Sequence, residues 1–593
     1  MQFRLFKLRF RRRMRKSARQ VEDLGRITEV GLERHFFKRL SNLGKSWRFI
    51  ATWIGLIVLV LIYQMAQIAG LSSHYQTQRP VAGGSYTEGI LGRFTNANPL
   101  FAVTEVVSSV SKLVFAGLFT YDSHNKLTGD LASSYDVDDK GTSYTIHLRP
   151  DLHWQDGQRL TADDVVFTYT TMQNPDVQSP FAKSWQGIKI TKRDAYTVVF
   201  TLNNPLTAFP YNLTNGIVPQ HLLKKYAASE LRSIDFNTLH PVGAGPFAWS
   251  ALQVKNTDPT NKQVLLALTP FAGYHGGRPK LDSFVVEAFS NQDNMMAAFK
   301  HQQLNGLVGL DTMPSALQHQ HGLQQNSLIL TAANMTFFNT AKALMSDPKV
   351  RQALVAGVDT TAIIKKLGYT TRPVNEPFLT GQLGYDKTLT QAGYNPAAAK
   401  TALDQAGWVM GKDMVRAKAG QKLNFTLYAL DTAENHRVTG MLRQQWQEIG
   451  ANADIHLLNA DELQNTIVAR DYDALLYGIS IGVDPDVYVY WDSTQNDPRS
   501  NRLNFSQYKS TTADSALEDG RTRRDPVLRV IKYKPFLQAW QQDAPGFGLY
   551  QPRFLYLTNE KVYGLDAATI NSGVDRLNNV ANWEVRTAKV TND

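Results

Sequence analysis

The stretch from Asp471 to Ser493 contains the residues best suited to chemistry. Residues 478–482, GISIG, have the Gly-x-Ser-x-Gly form of a hydrolase nucleophile elbow, in which a histidine later in the chain serves as the base. The histidines of this chain end at His456, before Ser480. Other triad orders exist, but no second motif supports one. A serine hydrolase is therefore a distant alternative, and we assign no catalytic residue.

Aromatic rings and carboxylates are concentrated in the same stretch. Tyr477, Tyr488 and Trp491 flank a rigid corner, Asp-Pro-Asp, at residues 484–486. Rings beside a turn suit the wall of a binding cleft, where a few polar groups orient a solute. Each ring could equally belong to the core of a lobe, so the sequence leaves both interpretations open.

Metal and redox chemistry have little support. The chain has no cysteine, which excludes disulfides, thiolate metal sites and a cysteine nucleophile. His319 and His321 are close enough in sequence to share a metal, but they lie in a Gln-rich polar stretch without a nearby carboxylate. A solvated surface is the favoured interpretation, and we predict no metal and no cofactor.

The positive charge is confined to one end of the chain. The 593 residues carry a formal net charge of +11. Residues 1–46 contain fourteen Lys and Arg against four acids, a surplus of ten. The remainder is close to neutral and offers no electrostatic footprint for a polyanion, so we expect no nucleic-acid partner.

An apolar run follows the basic segment. Residues 49–71 contain no charged side chain, and at 1.5 Å per residue they would span about 35 Å, enough to cross a membrane core of about 30 Å. The cations before this run predict a cytoplasmic N-terminus on anionic lipid and an extracellular C-terminal part. A cleaved signal peptide is the alternative, although the long leader argues against it. The expected division is a basic cytoplasmic segment (1–46), a transmembrane helix (47–71), a linker (72–82) and an ectodomain (83–593).

The ectodomain mixes strands and helices. Residues 135–137 and 144–148 alternate around a Gly-containing turn, as in a β-hairpin. Thr161 followed by Asp164 has the pattern of a helix cap.

These elements lie within residues 112–169, KLVFAGLFTYDSHNKLTGDLASSYDVDDKGTSYTIHLRPDLHWQDGQRLTADDVVFTY. This segment closely resembles the signature region of the family 5 extracellular solute-binding proteins, the dipeptide and oligopeptide receptors of ABC importers. The resemblance continues in order through AYTVVFTLNNPL, HPVGAGPF, YHGGRPKLDSF, FFNTAKALMSDPKVRQALVAGVD, YNPAAAKTALDQAGW, LRQQWQEIGANADI, the stretch at 471–493 and WQQDAPGFGLY.

The resemblance implies a mixed α/β, two-lobed periplasmic-binding-protein fold of type II, in the large form with a satellite domain. The apolar run at residues 49–71 adds one transmembrane helix before this fold. The implied boundaries are a base lobe (83–114, 240–333 and 544–593), a satellite domain (115–239) and a second lobe (334–543).

The implied function is capture of peptides between the lobes and their delivery to an ABC permease driven by ATPase subunits. The alternatives are a tethered sensor or scaffold that signals through residues 1–46, and a receptor for a metal chelate, haem or sugar.

The resemblance also indicates where the solute binds, and one departure from the family pattern. In the resembling receptors, an aspartate three residues before the Asp-Pro-Asp-like corner binds the free ammonium of the peptide. That position here is Ile481, so either Asp484 or Asp486 replaces it, or the solute has no free amine to bind there. The expected ligand contacts are Phe338, Asn339, Tyr477, Gly478, Ser480, Ile481, Asp484, Asp486, Tyr488 and Trp491.

Overall fold

A computed structural model describes residues 46–497, 502–566 and 568–591. The chain divides into two compact units, one of residues 80–586 and one made of the segments on either side. The predicted basic segment, residues 1–46, lies outside the described residues apart from Ser46.

The smaller unit contains the apolar helix. Within α1 (Trp47–Tyr75), residues 47–68 are long and apolar enough to cross a membrane, and none of the apolar window is buried. The helix extends past the predicted end at residue 71. Within the predicted linker, residues 76–81 form β1 (Gln76–Val81), which pairs with β24 (Arg586–Thr591).

The larger unit contains an eight-stranded mixed sheet. Its strands come from three separated parts of the chain. Along β10 (Gln263–Pro270), Val264, Leu266 and Leu268 are buried and alternate with more exposed residues, as expected for a strand with one face in a core. The other strands are β2 (Ser85–Leu91), β9 (Phe247–Asn256), β11 (Ser283–Phe289), β12 (Gly306–Val308), β13 (Gln324–Leu330), β22 (Arg553–Thr558) and β23 (Thr569–Ile570), in the order β23-β13-β22-β12-β2-β11-β10-β9.

A smaller antiparallel sheet is built from residues that lie, in sequence, between the first two of those three parts of the chain. The predicted hairpin is confirmed, since β5 (Ala132–Val137) pairs with β6 (Ser143–Leu148). The sheet continues through β8 (Thr197–Thr201) to β7 (Lys189–Asp194), and a separate hairpin joins β3 (Phe119–Tyr121) and β4 (Leu127–Gly129).

The predicted helix cap in this region is also confirmed. Thr161 and Asp164 form a reciprocal capping box. The helices of the chain up to residue 300 are α2 (Glu105–Val114), α3 (Ala162–Gln173), α4 (Ala182–Trp185), α5 (Gln220–Leu223) and α6 (Gln292–Lys300).

A five-stranded sheet forms the centre of residues 332–550. Its strands are β14 (Ala332–Phe338), β18 (Asn424–Leu430), β19 (Asn452–Leu458), β20 (Ala474–Ser480) and β21 (Gly546–Tyr550), in the order β19-β18-β20-β14-β21. A small sheet beside it comprises β15 (Val409–Met410), β16 (Arg416–Lys418) and β17 (Gln421–Lys422).

Apolar cores cover both faces of the five-stranded sheet. Leu476 belongs to one core, whereas Leu475 and Ile479 belong to the other, as the alternation of a strand requires. The helices of this part are α7 (Pro348–Ala356), α8 (Thr360–Leu367), α9 (Pro396–Gln405), α10 (Ala433–Glu448), α11 (Ala460–Ala469), α12 (Tyr488–Trp491), α13 (Thr511–Thr522) and α14 (Pro526–Asp543).

Two chain segments carry the backbone directly between the large sheets. The chain passes from β13 to β14 at Thr331, and from β21 to β22 through Gln551 and Pro552. Since β13 pairs with β22 and β14 pairs with β21, the crossings form a two-stranded connection between the lobes. Such a pair of crossing strands can serve as a hinge for lobe closure.

Candidate functional site

The strand β20 has an open edge over its second half. Its full length pairs with β14, from Phe338↔Ala474 to Ala332↔Ser480. On its other side, pairing with β18 ends at Tyr428↔Leu475. From Leu476 onward, this side of β20 has no strand neighbour among the described residues. An extended peptide can add to such an edge through main-chain hydrogen bonds.

Two cavities flank this open edge. Cavity A has a volume of about 250 Å³ and is lined by Gln464, Ile467, Val468, Arg470, Tyr477, Gly478, Ile479, Ser480, Tyr490, Arg502, Leu503 and Phe505.

Cavity B, of about 340 Å³, is lined by Asp311, Asn334, Tyr369, Leu430, Thr432, Glu434, Asn435, Leu476, Tyr477, Gly478, Pro552 and Arg553. Cavity A lies on the face of β20 that carries Ile479, and cavity B lies on the face that carries Leu476.

Three of the predicted ligand contacts border these cavities. Tyr477 and Gly478 line both of them, and Ser480 lines cavity A. The main-chain carbonyl of Ser480 accepts a hydrogen bond of 2.7 Å from the Tyr490 hydroxyl, while the Ser480 residue itself is exposed. These three predicted contacts therefore lie on a strand that borders two cavities, and their ligand roles remain predictions.

Ile481 turns away from solvent at the end of β20. It is 8% exposed and belongs to the apolar core of the second lobe. Its main-chain N–H and that of Gly482 both donate to the carbonyl of Thr331, at 3.0 and 2.9 Å. This position contributes a hydrogen bond to the crossing strand and no charge to the cleft.

The two carboxylates of the corner are already paired. Asp484 accepts from both terminal nitrogens of Arg529, each at 2.7 Å, and Asp486 accepts from Nη2 of Arg521 at 2.8 Å. Burial opposes the charge on Arg529, but Asp484 outweighs it and raises the arginine pKa. Burial raises the pKa of Asp486, although Arg521 counters the effect. Neither carboxylate is left unpaired to take the place of an aspartate at position 481 as the amine-binding group.

The corner instead positions helices whose ends contact the satellite region, which comprises residues 115–239 with the β5-β6-β8-β7 sheet. The carbonyl of Arg521 accepts from the Thr207 N–H at 3.1 Å, and Nη1 of Arg524 donates to the carbonyl of Asp138 at 2.8 Å. The guanidinium of Arg521 also lies over the ring of Tyr488, 4.2 Å from its centroid. Tyr488 borders a third cavity of about 550 Å³ between α13 and the satellite region.

Three predicted contacts lie inside cores. Phe338, Asn339 and Trp491 have no exposed surface. The Asn339 amide donates to two main-chain carbonyls at 3.1 and 3.0 Å. The Trp491 ring packs against Phe337 and Trp540 with centroid distances of 5.4 and 5.8 Å. These side chains complete the packing of the sheet and present no surface to a solute in this conformation.

The sequence did not single out the charged residues of the cavities. Arg470 and Arg502 line cavity A, and Glu434 and Arg553 line cavity B. They come from distant parts of the chain and belong to no local motif, so only the folded chain brings them together. His319 and His321 are exposed, and no group of three His, Asp or Glu residues suited to a metal is present in the described parts.

Sequence comparison identifies relatives over most of the chain. The family model for bacterial extracellular solute-binding proteins, family 5 (middle region), matches residues 126–520. The oligopeptide-binding protein AppA of Bacillus subtilis (strain 168) is 25% identical over 520 residues, which cover 84% of this chain and 92% of that protein.

Solved structures of such proteins share the fold. AppA from Bacillus subtilis in complex with a nonapeptide matches with a TM-score of 0.66 and 24% identity, over 86% of this chain and 100% of that chain. NikZ from Campylobacter jejuni in complex with Ni(L-His) matches with a TM-score of 0.69 and 24% identity, over 84% and 99% of the two chains. These matches confirm the predicted mixed α/β, two-lobed fold.

Proposed function

Because the chain belongs to the family 5 bacterial extracellular solute-binding proteins, we propose that it is a membrane-anchored receptor that captures peptides between its lobes and delivers them to an ABC permease. Its solute-binding part is extracellular, and α1 is the anchor. The ATPase and permease subunits are separate partners.

The open edge of β20 is the observation that carries the peptide assignment. Main-chain groups after Leu475 lack a strand partner on the β18 side in the described part of the chain, and two cavities flank them. A peptide added to this edge would place its main chain on β20 and alternate side chains towards opposite faces. Affinity from the main chain tolerates many sequences, as a general peptide receptor requires.

The relatives support the same solute class. AppA is named for oligopeptide binding, and its structure contains a nonapeptide. NikZ was solved with Ni(L-His), so a metal chelate is the second candidate. A metal chelate would be the favoured solute if the protein bound it and peptides did not compete for the same site.

Native mass spectrometry of the purified full chain in detergent micelles tests peptide capture. We expect the protein to retain peptides from a random pool of octapeptides. Failure to retain any peptide, with the protein folded by circular dichroism, would overturn the proposal. A parallel incubation with Ni(L-His) shows whether the protein binds this chelate in place of peptides.

Anchoring is tested separately in membranes. The full chain is expected to stay in the membrane fraction after alkaline carbonate extraction, with residues 80–586 accessible to protease added outside intact cells. Replacing Leu59 and Leu61 with lysine should release it, because each charge at the centre of a spanning helix costs about 2.5–3.5 kcal/mol. A chain found mainly in the soluble fraction before any substitution would contradict the anchor.

A further inference from the structure

Among the described residues, cavity A is lined by two cations and by no acid. Arg470 and Arg502 are its charged residues, and its remaining described lining is apolar, amide, hydroxyl or glycine. Cavity B differs, because Asp311 and Glu434 accompany Arg553 there. The two sides of the open β20 edge therefore differ in charge.

Arg470 is buried and has no acidic partner in the parts of the chain that the structure describes. It is 6% exposed. Its Nη1 donates to the Tyr472 hydroxyl at 3.2 Å and its Nη2 donates to the Arg502 carbonyl at 2.5 Å. Its guanidinium lies 5.5 Å from the Phe505 ring centroid, and its buried Nε has no hydrogen-bond partner. All of these described partners are neutral.

The nearest acids in the chain are used elsewhere. Asp471 pairs with Lys342 at 3.0 Å, and Asp473 accepts from the N–H and hydroxyl of Thr426 at 2.9 and 3.1 Å. A buried charge is normally stabilised by an opposite charge or by a full set of hydrogen bonds. Arg470 lacks a carboxylate among the described residues and borders a cavity that a solute can enter.

We propose that cavity A receives the carboxylate of an acidic side chain from the peptide bound along β20. This inference rests on the proposed peptide-binding function and specifies the side chain that the receptor selects. A carboxylate would accept charge-assisted hydrogen bonds from Arg470 and Arg502, and it would neutralise the cavity.

The selection acts at alternate positions of the peptide. Side chains of an added strand point to opposite faces in turn, so the neighbours of the acidic residue point towards cavity B. There Glu434 accepts hydrogen bonds from the hydroxyls of Tyr369 and Tyr550, at 2.9 and 2.7 Å, and repels a second carboxylate. The receptor thus favours an acid on one face and a neutral or basic residue on the other.

The Asp-Pro-Asp corner of the second lobe is consistent with a preference for acidic peptides. Ile481 is apolar and largely buried, and Asp484 and Asp486 are paired with arginines. A solute at this site is therefore held by its main chain and by an acidic side chain, with no carboxylate of the corner left to bind an ammonium.

The test uses matched peptides and the full chain in detergent micelles. From the random octapeptide pool, retained peptides are sequenced, and a bound sequence containing Glu is resynthesised with Gln at that position. We expect enrichment of Asp and Glu among retained peptides and a loss of affinity of about tenfold or more for the Gln peptide, the usual effect of losing one charge-assisted hydrogen bond.

Variants locate the effect. Arg470→Met should bring the ratio of the affinities for the Glu and Gln peptides close to one. If this variant does not fold, Arg502→Gln, at the rim of the cavity, should lower the same ratio. Arg443→Met, an exposed arginine of α10 outside both cavities, is the matched control and should keep the ratio.

The outcomes separate this inference from the proposed function. Peptides retained without acidic enrichment, or an unchanged ratio in a folded cavity A variant, would overturn the acidic preference and leave peptide capture standing. Retention of no peptide at all would overturn the proposed function itself. Enrichment that disappears in the cavity A variant and persists in the control supports the assignment.

Discussion

Arg529 holds both carboxylate oxygens of Asp484 at 2.7 Å, which ties the corner after β20 to the first turns of α14. Both side chains are less than 10% exposed. The Nε of Arg529 also donates to the Gly520 carbonyl at 3.1 Å, so the same guanidinium joins α13 to this pair. The corner therefore positions the two helices whose connecting loop reaches the satellite region.

Breaking this pair should destabilise the second lobe. We expect Asp484→Asn to lower the free energy of unfolding by about 3–5 kcal/mol, because it leaves a buried guanidinium without its counter-charge. Urea denaturation followed by tryptophan fluorescence measures the change. The exposed pair of Lys422 and Asp413 offers a control, since Asp413→Asn should have little effect. Equal stability of the Asp484 and Asp413 variants would contradict a structural role for the corner.

Glu376 should make the protein less stable as the pH rises. This carboxyl group is buried, and its described hydrogen bonds come from the Asp386 N–H at 3.2 and 3.4 Å. Burial raises its pKa to about 8, while the Asp386 N–H partly opposes the shift. The folded chain then keeps a proton that the unfolded chain loses near its ordinary pKa of 4.5, so stability falls between these two pH values.

Substitution isolates that contribution. Glu376→Gln should flatten the decline in unfolding free energy between pH 5 and pH 8, a window taken from the two pKa values, and should make the protein more stable than the parent at the upper end. Thermal denaturation across the range measures both. A parent and a variant with parallel pH profiles would show that Glu376 does not titrate in this window.

Replacing the Trp491 side chain should lower the stability of the protein. The sequence left this ring open between cleft wall and lobe core and included it among the expected ligand contacts, but it is buried between Phe337 and Trp540. We expect Trp491→Ala to cost about 3–5 kcal/mol of unfolding free energy, as for other large-to-small changes in a core. A folded Trp491→Ala variant with unchanged stability and weakened solute binding would instead show that the ring contributes to the cleft.

The contact between the α13–α14 loop and the satellite region should slow solute release. Arg524 donates to the Asp138 carbonyl, so Arg524→Met removes one hydrogen bond between this loop and the satellite region. We expect peptide dissociation to quicken by roughly fivefold, the equivalent of about 1 kcal/mol. Stopped-flow displacement measures this rate, and the exposed Arg443→Met variant is the control. An unchanged rate would show that this bond plays no part in closure.

The fold could be predicted because its signals are local and collinear. The hairpin around residues 138–141 and the cap at Thr161 each depend on neighbours in sequence, and the family resemblance supplied their arrangement. The stretch at residues 471–493, which the sequence singled out, contains β20, and this strand borders both cavities. These features need no knowledge of long-range contacts.

The chemistry of the cavities could not be predicted in the same way. Arg470 becomes notable only because folding buries it with no described acid beside it. Asp484 becomes unavailable only because Arg529, distant in sequence, pairs with it. Likewise, aromatic type alone could not assign Trp491 to a core or to a cleft. Burial and pairing of charges depend on tertiary contacts, which no short motif in this chain records.

Hydrogen–deuterium exchange along β20, resolved to single amides, tests peptide addition at its open edge most directly. With a retained peptide bound to the full chain, the amides of residues 476–480 that face away from β14 should exchange more slowly than in the free protein, since new main-chain hydrogen bonds protect them. Unchanged exchange throughout residues 476–480 at saturating peptide would contradict the account.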